Sequence, residues 1–396
     1  MSLLDFFLLA VTLLVLLPVA VLFTEVLFAI SNRSNPPAAR GERLRLAVIM
    51  PAHNEASVIA AALQSVRPQL EWTDRMLVVA DNCSDETANI AIKEGAEVIV
   101  RNDLTHRGKG YALDFGVRHL RTDPTSVVIF LDADCRVAPD SISQLARKAA
   151  QMMRPVQALY LMRAPRSAEV LTRIGQFAWT VKNHVRPLGL HKLGLPCQLM
   201  GTGMAFPWSC IESAELATDH IVEDLKLGID LARAGTPPLF VPEALVTSDF
   251  PASREGMREQ RTRWEHGHIG TILGEVPSLI LDAFRSKDIK LLAFALDLSV
   301  PPLALLSLVT CVVWSASAFL YVFAKVQLPL VIATSAAALL AVSVLLSWAR
   351  YGRNIVSLGD LLLAAPYAIW KIPLYARFLV ARQKRWVRSK RDEDPK

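Results

Sequence analysis

The sequence predicts an α/β protein: a doubly wound domain of mainly parallel strands, flanked by transmembrane and interfacial helices. Three observations predict it. Short apolar runs alternate with stretches of helical spacing between residues 45 and 131. The apolar excess is concentrated in the first thirty residues and after about Lys290. Acidic or polar residues follow three separate strand-like runs. A chain of 396 residues has room for one large globular domain plus accessory segments.

Hydrophobic residues make up 52% of the chain, above the usual soluble share, and their clustering suggests a soluble middle held between membrane segments. Residues 6–30 are almost continuously apolar and long enough to cross a bilayer core, which needs about 20 helical residues. The run is too long for a cleaved signal peptide, has no charged region before it and ends without a small-x-small site, so a retained helix is expected. Arg33, Arg40, Arg43 and Arg45 follow it, whereas Asp5 is the charge before it. The positive-inside rule then puts the N-terminus outside and the middle of the chain in the cytosol. Residues 298–323 and 328–348 form a second and third span, joined by Ala324-Lys325-Val326-Gln327, and return the chain to the side of Arg350, Arg353 and the Lys/Arg-rich tail at 382–391. The apolar stretch 355–380 carries Asp360, Pro366, Lys371 and Pro373; a crossing would strand the basic tail outside, so an interfacial or re-entrant helix is expected. Residues 269–284, with Glu275 and Asp282, are expected as another amphipathic helix on the membrane.

The expected organisation is a transmembrane helix at 1–32, a cytosolic α/β domain at 45–268, an interfacial helix at 269–290, a transmembrane hairpin at 291–350, and an interfacial helix with a basic cytosolic tail at 351–396. An integral protein of a bacterial-type inner (plasma) membrane is expected. The formal charge of +6 collects beside the apolar segments rather than as a stripe through the domain, which argues against a nucleic-acid partner. Cys83, Cys135, Cys197, Cys210 and Cys311 are odd in number and follow no metal-ligand spacing; reduced cytosolic thiols are expected.

Within the domain, residues 46–50, 76–80, 98–100 and 127–131 read as strands, and 56–66, 84–94 and 111–120 as helices. Apolar runs of four or five residues between amphipathic helices fit strands buried on both faces. Ligands of such sheets bind beyond the carboxyl ends of the strands. Here those ends lead into Pro51-Ala52-His53-Asn54-Glu55, into Asp81-Asn82-Cys83-Ser84-Asp85, and into Asp132-Ala133-Asp134. Asp85 also suits a helix cap.

Two carboxylates spaced as in Asp132 and Asp134 can jointly address a hard divalent cation, which in turn can bridge to phosphate oxygens. Asp81 could hydrogen-bond a base or ribose, or make an Asx turn. His106-Arg107-Gly108-Lys109-Gly110 is a short basic loop whose backbone and Lys109 could contact a diphosphate, although it does not match the Walker pattern. Gly201-Thr202-Gly203-Met204 either brings backbone close to a ligand or turns a corner. Glu223-Asp224 either favours a helix dipole or supplies, in Asp224, a general base. Gln260-Arg261-Thr262-Arg263-Trp264 is compatible with a helix; Arg263 could bind a phosphate, and Trp264 could stack on a sugar or anchor at a bilayer edge.

In this order the motifs resemble the membrane-bound members of glycosyltransferase family 2, the group with the cellulose, chitin-oligosaccharide and hyaluronan synthases. The resemblance covers residues 46–267 and is most specific at Gln260 to Trp264. It implies a GT-A fold and a hexosyltransferase-type enzyme that uses a nucleotide-diphosphate sugar, commonly a UDP-sugar, with Mg2+ or Mn2+. It further implies donor contacts from Pro51, Ala52, Glu55, Asp81, Lys109, Asp132 and Arg263, and an ion on Asp134 and Asp132. Asp224, with Glu223 beside it, would be the base for one inverting displacement. Gly201, Thr202, Gly203, Gln260 and Trp264 would meet the acceptor. Three spans are fewer than polymer-secreting synthases usually carry, which fits shorter oligosaccharide or exopolysaccharide synthases, working beside polymer-export proteins. A single addition onto a polyprenyl phosphate or lipid is the alternative. A non-catalytic membrane scaffold would show gaps in the acid set, and there are none.

Overall fold

The computed structural model describes residues 3–32, 44–165, 167–251 and 253–380; Arg33, Arg40, Arg43 and the basic tail lie outside them. The described chain divides into two compact units. One contains the segments within Asn35–Pro165 and Gly194–Gly267, the other those within Met1–Ser34, Arg166–Leu193 and His268–Arg382.

The first unit is built on β1 (Leu46–Ala52), β2 (Arg75–Asp81), β3 (Glu97–Arg101), β4 (Val127–Phe130), β5 (Arg136–Val137), β6 (Val156–Arg163), β7 (Met204–Pro207) and β8 (Leu239–Asp249). They form one eight-stranded sheet in the order β3-β2-β1-β4-β7-β6-β8-β5. Leu46 to Ile49 and Leu77 to Ala80 are fully buried, which is why these strands read as unbroken apolar runs rather than as alternation. Ala47, Ile49, Leu77 and Val79 pack with Leu113 and Val117 of helix Lys109–Leu120 and with Phe130 and Phe206.

The strands β3, β2, β1 and β4 pair in parallel, so their carboxyl ends reach one edge together. The expectation of a mainly parallel sheet holds, with four of the seven strand pairings parallel, but the other half of the sheet is mixed. Strand β7 lies antiparallel to both β4 and β6, and β5 antiparallel to β8, while β6 and β8 are parallel. Between β6 and β7 the chain runs through residues 166–193, which belong to the other unit, and no simple βαβ crossover imposes a direction on the strand that returns.

The second unit contains three helices long and apolar enough to cross a membrane: Asp5–Ile30, Leu303–Ala324 and Leu328–Gly352. Val15, Val313 and Ala333 pack together between them, whereas Phe7, Leu14, Val312 and Phe323 are exposed, as suits contact with lipid tails. The second span begins at Leu303, not at Leu298. Leu298 lies in the last turn of helix Ile289–Ser299, and Pro301-Pro302 break the chain between the two helices. The stretch expected as a separate helix at 269–284 is the second half of one 33-residue helix, Arg254–Ser286, whose Pro277 lies within it. Residues 355–380 form three short helices, Leu358–Leu361, Ala364–Trp370 and Ile372–Val380, rather than one.

Glu25 sits inside the first apolar helix and is almost fully buried. Its Oε2 accepts a 2.7 Å hydrogen bond from Nε of Arg186, whose Nη2 donates to Oδ1 of Asp297 at 2.5 Å. All three side chains are nearly inaccessible to water. Breaking a buried ion pair leaves an uncompensated charge. Arg186→Met is therefore expected to cost about 3–5 kcal/mol of stability, while replacing all three residues with apolar side chains should restore most of it. Thermal unfolding of the full chain in detergent checks this; equal melting temperatures for wild type and Arg186→Met would contradict it.

Candidate active site

The carboxyl edge of the parallel strands gathers the polar residues in two linked groups. At the ends of β1 and β2, Nδ1 of His53 lies 2.7 Å from the carbonyl of Asp81, and Oδ1 of Asn54 accepts from the backbone N–H of Ser84 at 2.7 Å. Asn54 and Asn82 both adopt left-handed backbone, which turns the chain sharply out of each strand. Asp81 is buried; its Oδ1 accepts from Nη1 of Arg101 at 2.7 Å and from Nδ2 of Asn82 at 3.0 Å. Pro51 and Ala52 are the last residues of β1, and the Ala52 carbonyl accepts from the Cys83 thiol. The backbone N–H of Glu55 donates to Oγ1 of Thr87 at 2.7 Å, and its carbonyl opens the turn leading to helix Ile59–Val66. Asp85 serves locally, accepting from the N–H and hydroxyl of Thr87 and from the N–H of Ala56.

Arg101 ties this group to the loop before helix Lys109–Leu120. Its Nη2 donates to the His106 carbonyl at 2.8 Å, and its guanidinium lies 5.6 Å from the centre of the Tyr111 ring. It escaped the motif reading, although a charged residue closing the apolar strand β3 was a usable signal.

The second group surrounds Lys109, the first residue of its helix. Its ammonium pairs with Oδ1 of Asp132, donates to the Gly201 carbonyl at 2.7 Å, and lies 3.9 Å from Oε1 of Glu223. Asp224 belongs to the same cluster: a Cβ placed on Gly201 would stand 3.5 Å from its Oδ2 and 3.8 Å from Nζ of Lys109. Four separate stretches of sequence therefore converge here.

Local structure explains the convergence. Thr202 is fully buried and its Oγ1 accepts the backbone N–H of Asp132 at 3.0 Å, which pins the strand end that carries the acid pair. Gln157, also fully buried, donates to the Thr202 carbonyl at 2.9 Å and accepts from the Met200 N–H at 2.8 Å. The segment Gly201 to Gly203 is thus an anchored corner, and Gly201 (φ +88°) and Gly203 (φ +66°) supply its left-handed turns. Thr202 faces this scaffold.

Glu223 and Asp224 open helix Glu223–Arg233, where the exposed N–H groups favour anions. Just before them Val222 packs directly on Gly267, leaving no room there for a larger residue. Gln260, Arg263, Trp264 and Gly267 are spaced i, i+3, i+4 and i+7 on helix Arg254–Ser286 and share one face. The seat of Gly267 on Val222 turns that face toward the acid cluster, and the Arg263 charge is felt at Glu223. Gln260 and Trp264 are half-buried on it.

Burial, reinforced by Asp224, raises the acidity constant of Glu223 from the ordinary 4.5 to about 7, against the opposing pull of Lys109 and Arg263. Burial likewise raises Asp132, with Asp134 and Asp224 adding to it and Lys109 opposing. Burial alone would lower Lys109, but Asp132, Glu223 and Asp224 outweigh it and hold the ammonium protonated well above the usual range. Because folding makes Glu223 bind its proton more tightly, the folded protein holds more protons than the unfolded chain between about pH 4.5 and 7. Its stability relative to Glu223→Gln should therefore fall as pH rises through that window and level off above it. Melting temperatures of both chains without added divalent ion, taken from pH 5 to 8, check the sign; a constant difference would contradict it.

Ligand atoms of Asp132, Asp134 and Cys135 lie within 4.8 Å of one another. Burial keeps the Cys135 thiol protonated, and it points its S–H at Oδ1 of Asp134, 3.5 Å away. What remains for a cation is carboxylate oxygen. That donor set fits a hard divalent ion such as Mg2+ or Mn2+.

Compared with solved structures and family models, the sheet with its acids and lysine at the strand ends is of the GT-A type. The solved structure of the mannosyltransferase PcManGT from Pyrobaculum calidifontis, in complex with GDP-Man and Mn2+, superposes with a TM-score of 0.58; the match covers 95% of this chain and 100% of that one at 17% identity. The model described as glycosyltransferase like family 2 matches residues 43–267, more than half of the chain, and the protein belongs to that family. Among curated proteins it is 27% identical over 240 residues to the probable glycosyltransferase YdaM of Bacillus subtilis, covering 58% of this chain and 56% of that protein. It is 30% identical over 95 residues to the glucosyl-3-phosphoglycerate synthase of Mycobacterium tuberculosis, covering 22% of this chain and 28% of that protein. The chain therefore spans about half or less of the length of these curated relatives.

Proposed function

We propose that this is a membrane-bound inverting glycosyltransferase that moves one sugar from a nucleotide-diphosphate sugar, a UDP-sugar, onto a saccharide acceptor in polysaccharide or exopolysaccharide synthesis. The three apolar helices hold it in the plasma membrane with the catalytic unit on the cytosolic face, and polymer-export proteins are its expected neighbours. The observation that carries the reading is the convergence of Asp132, Glu223, Asp224 and the Gly201 carbonyl on Lys109, with Arg263 acting on Glu223.

In this reading Asp81, steadied by Arg101, holds the nucleoside, with Pro51, Ala52 and Glu55 shaping the strand end around it. Asp134 and Asp132 hold the divalent ion, Mg2+ or Mn2+, which when bound supplies positive charge to the departing diphosphate. Lys109 and Arg263 add charge on the same leaving group. Asp224 takes the proton of the acceptor hydroxyl as its oxygen attacks the anomeric carbon. The bond from that carbon to the diphosphate oxygen breaks on the opposite side, and the nucleoside diphosphate leaves with the bonding pair. Glu223 holds the helix start in place. Gly201, Gln260 and Trp264 receive the acceptor, the indole offering a face for a sugar ring, while buried Thr202 and Gly203 hold the corner behind them rather than meeting the acceptor as the sequence suggested.

Full-length protein in detergent, screened against UDP- and GDP-sugars for released nucleoside diphosphate, tests this reading. Turnover of one nucleotide sugar is expected; inertness toward all of them would overturn it. The three spans also suit a polyprenyl-phosphate or lipid acceptor. Label on an organic-extractable product would favour that acceptor, and a ladder of water-soluble chains the saccharide.

A further inference from the structure

We infer that Lys109 is a resident counter-cation of the acid cluster, and that it exchanges Asp132 for the donor's diphosphate when a divalent ion is taken up, making ion and nucleotide binding interdependent. The inference rests on the reading of Asp132 and Asp134 as ion ligands.

The geometry is that of an occupied position. The ammonium is paired with Oδ1 of Asp132, bonded to the Gly201 carbonyl at 2.7 Å and 3.9 Å from Glu223, with its side chain only 16% exposed. Two of its three N–H groups are thereby committed to Asp132 and Gly201, and one remains for a further acceptor. Asp132, Glu223 and Asp224 would repel one another strongly in this half-dry setting without it. The lysine is fixed from both ends. Its backbone starts helix Lys109–Leu120, and its tip is caught on a corner anchored by Thr202 and Gln157.

A divalent ion arriving alone at Asp132 and Asp134 would meet this fixed positive charge a few ångströms away and compete with it for Asp132. The same ion arriving with a diphosphate brings negative oxygens that the ammonium can take in exchange. Lys109 therefore opposes the free ion and favours the ion–nucleotide pair. Thermodynamic reciprocity requires that the ion tighten the nucleotide by the same factor. The consequence is selection: three clustered carboxylates, an efficient trap for stray divalent ions, accept one only together with the substrate it serves.

The test is Mn2+ binding to the full-length protein in detergent, followed by the electron paramagnetic resonance signal of the free ion, with and without UDP or GDP. Wild type should bind Mn2+ weakly alone and at least about tenfold more tightly with the diphosphate. Lys109→Met and Lys109→Gln should bind Mn2+ alone about tenfold more tightly than wild type, and gain much less from the diphosphate. Lys109→Arg, which keeps the positive charge, should bind the lone ion as weakly as wild type. Neutral variants that bind the lone ion no better than wild type would overturn the inference. If a neutral variant unfolds for want of its cation, Mn2+ alone should restore its melting transition, and failure to do so would also overturn it. No Mn2+ binding by any of these proteins, with or without diphosphate, would remove the ion site itself.

Discussion

Asp224→Asn should lower kcat by about 10²–10⁴-fold, the usual worth of a positioned general base, while donor binding stays close to wild type. Asn matches Asp in size, so the change removes proton-accepting ability without opening a cavity or disturbing the start of helix Glu223–Arg233. The Asp224 carboxylate lies beside Gly201, on the acid cluster gathered by Lys109, where an acceptor hydroxyl would meet it. Steady-state kinetics with a saturating donor, together with direct nucleotide-sugar binding, separate the two effects. Undiminished turnover would show that another group takes the proton.

The second large effect is expected at Asp134. Asp134 completes the carboxylate pair, its ligand atom within 4.8 Å of that of Asp132, whose Oδ1 is paired with Lys109 until the ion arrives. Asp134→Asn replaces a charged hard ligand by a neutral amide, so Mn2+ should bind at least tenfold more weakly and kcat should fall by about 10³-fold or more, as the leaving diphosphate loses several kcal/mol of charge stabilisation. Titrating activity with Mn2+ reads both. Chelation of the ion should likewise abolish donor hydrolysis by the wild type, and turnover that survives chelation would remove the ion from the account.

What the sequence reveals of this fold follows from how local each feature is. Strands β1, β2 and β4 are doubly buried, so residues such as Val48 and Val78 print an apolar run that needs no partner to be recognised. The face shared by Gln260, Arg263 and Trp264 is legible for the same reason, since helical spacing is a local property. Strands β6 to β8 are different. Their mixed directions depend on pairings such as Gln157 with Met204 and with Phe240, set by the excursion of the chain through the helical unit. The polar residues at the strand ends could be named one at a time. Lys109 as their common centre could not, because it depends on Gly201 and Glu223, far along the chain. Arg101 and Gln157 act through hydrogen bonds to partners distant in sequence, such as Asp81 and Thr202, and belong to no sequence motif. Glu25 is the sharpest case: within an apolar helix it reads as a blemish, and only Arg186 and Asp297 give it a reason.

The central claim is one displacement at the anomeric carbon, driven by a single carboxylate base across from a charge-neutralised diphosphate. It is tested most directly by the anomeric configuration of the first product, read by proton NMR immediately after transfer from an α-linked nucleotide sugar. A β-linked product is predicted. An α-linked one, formed by the wild type and lost in Asp224→Asn, would mean that the sugar is not transferred by one in-line displacement and that Asp224 acts in some other capacity.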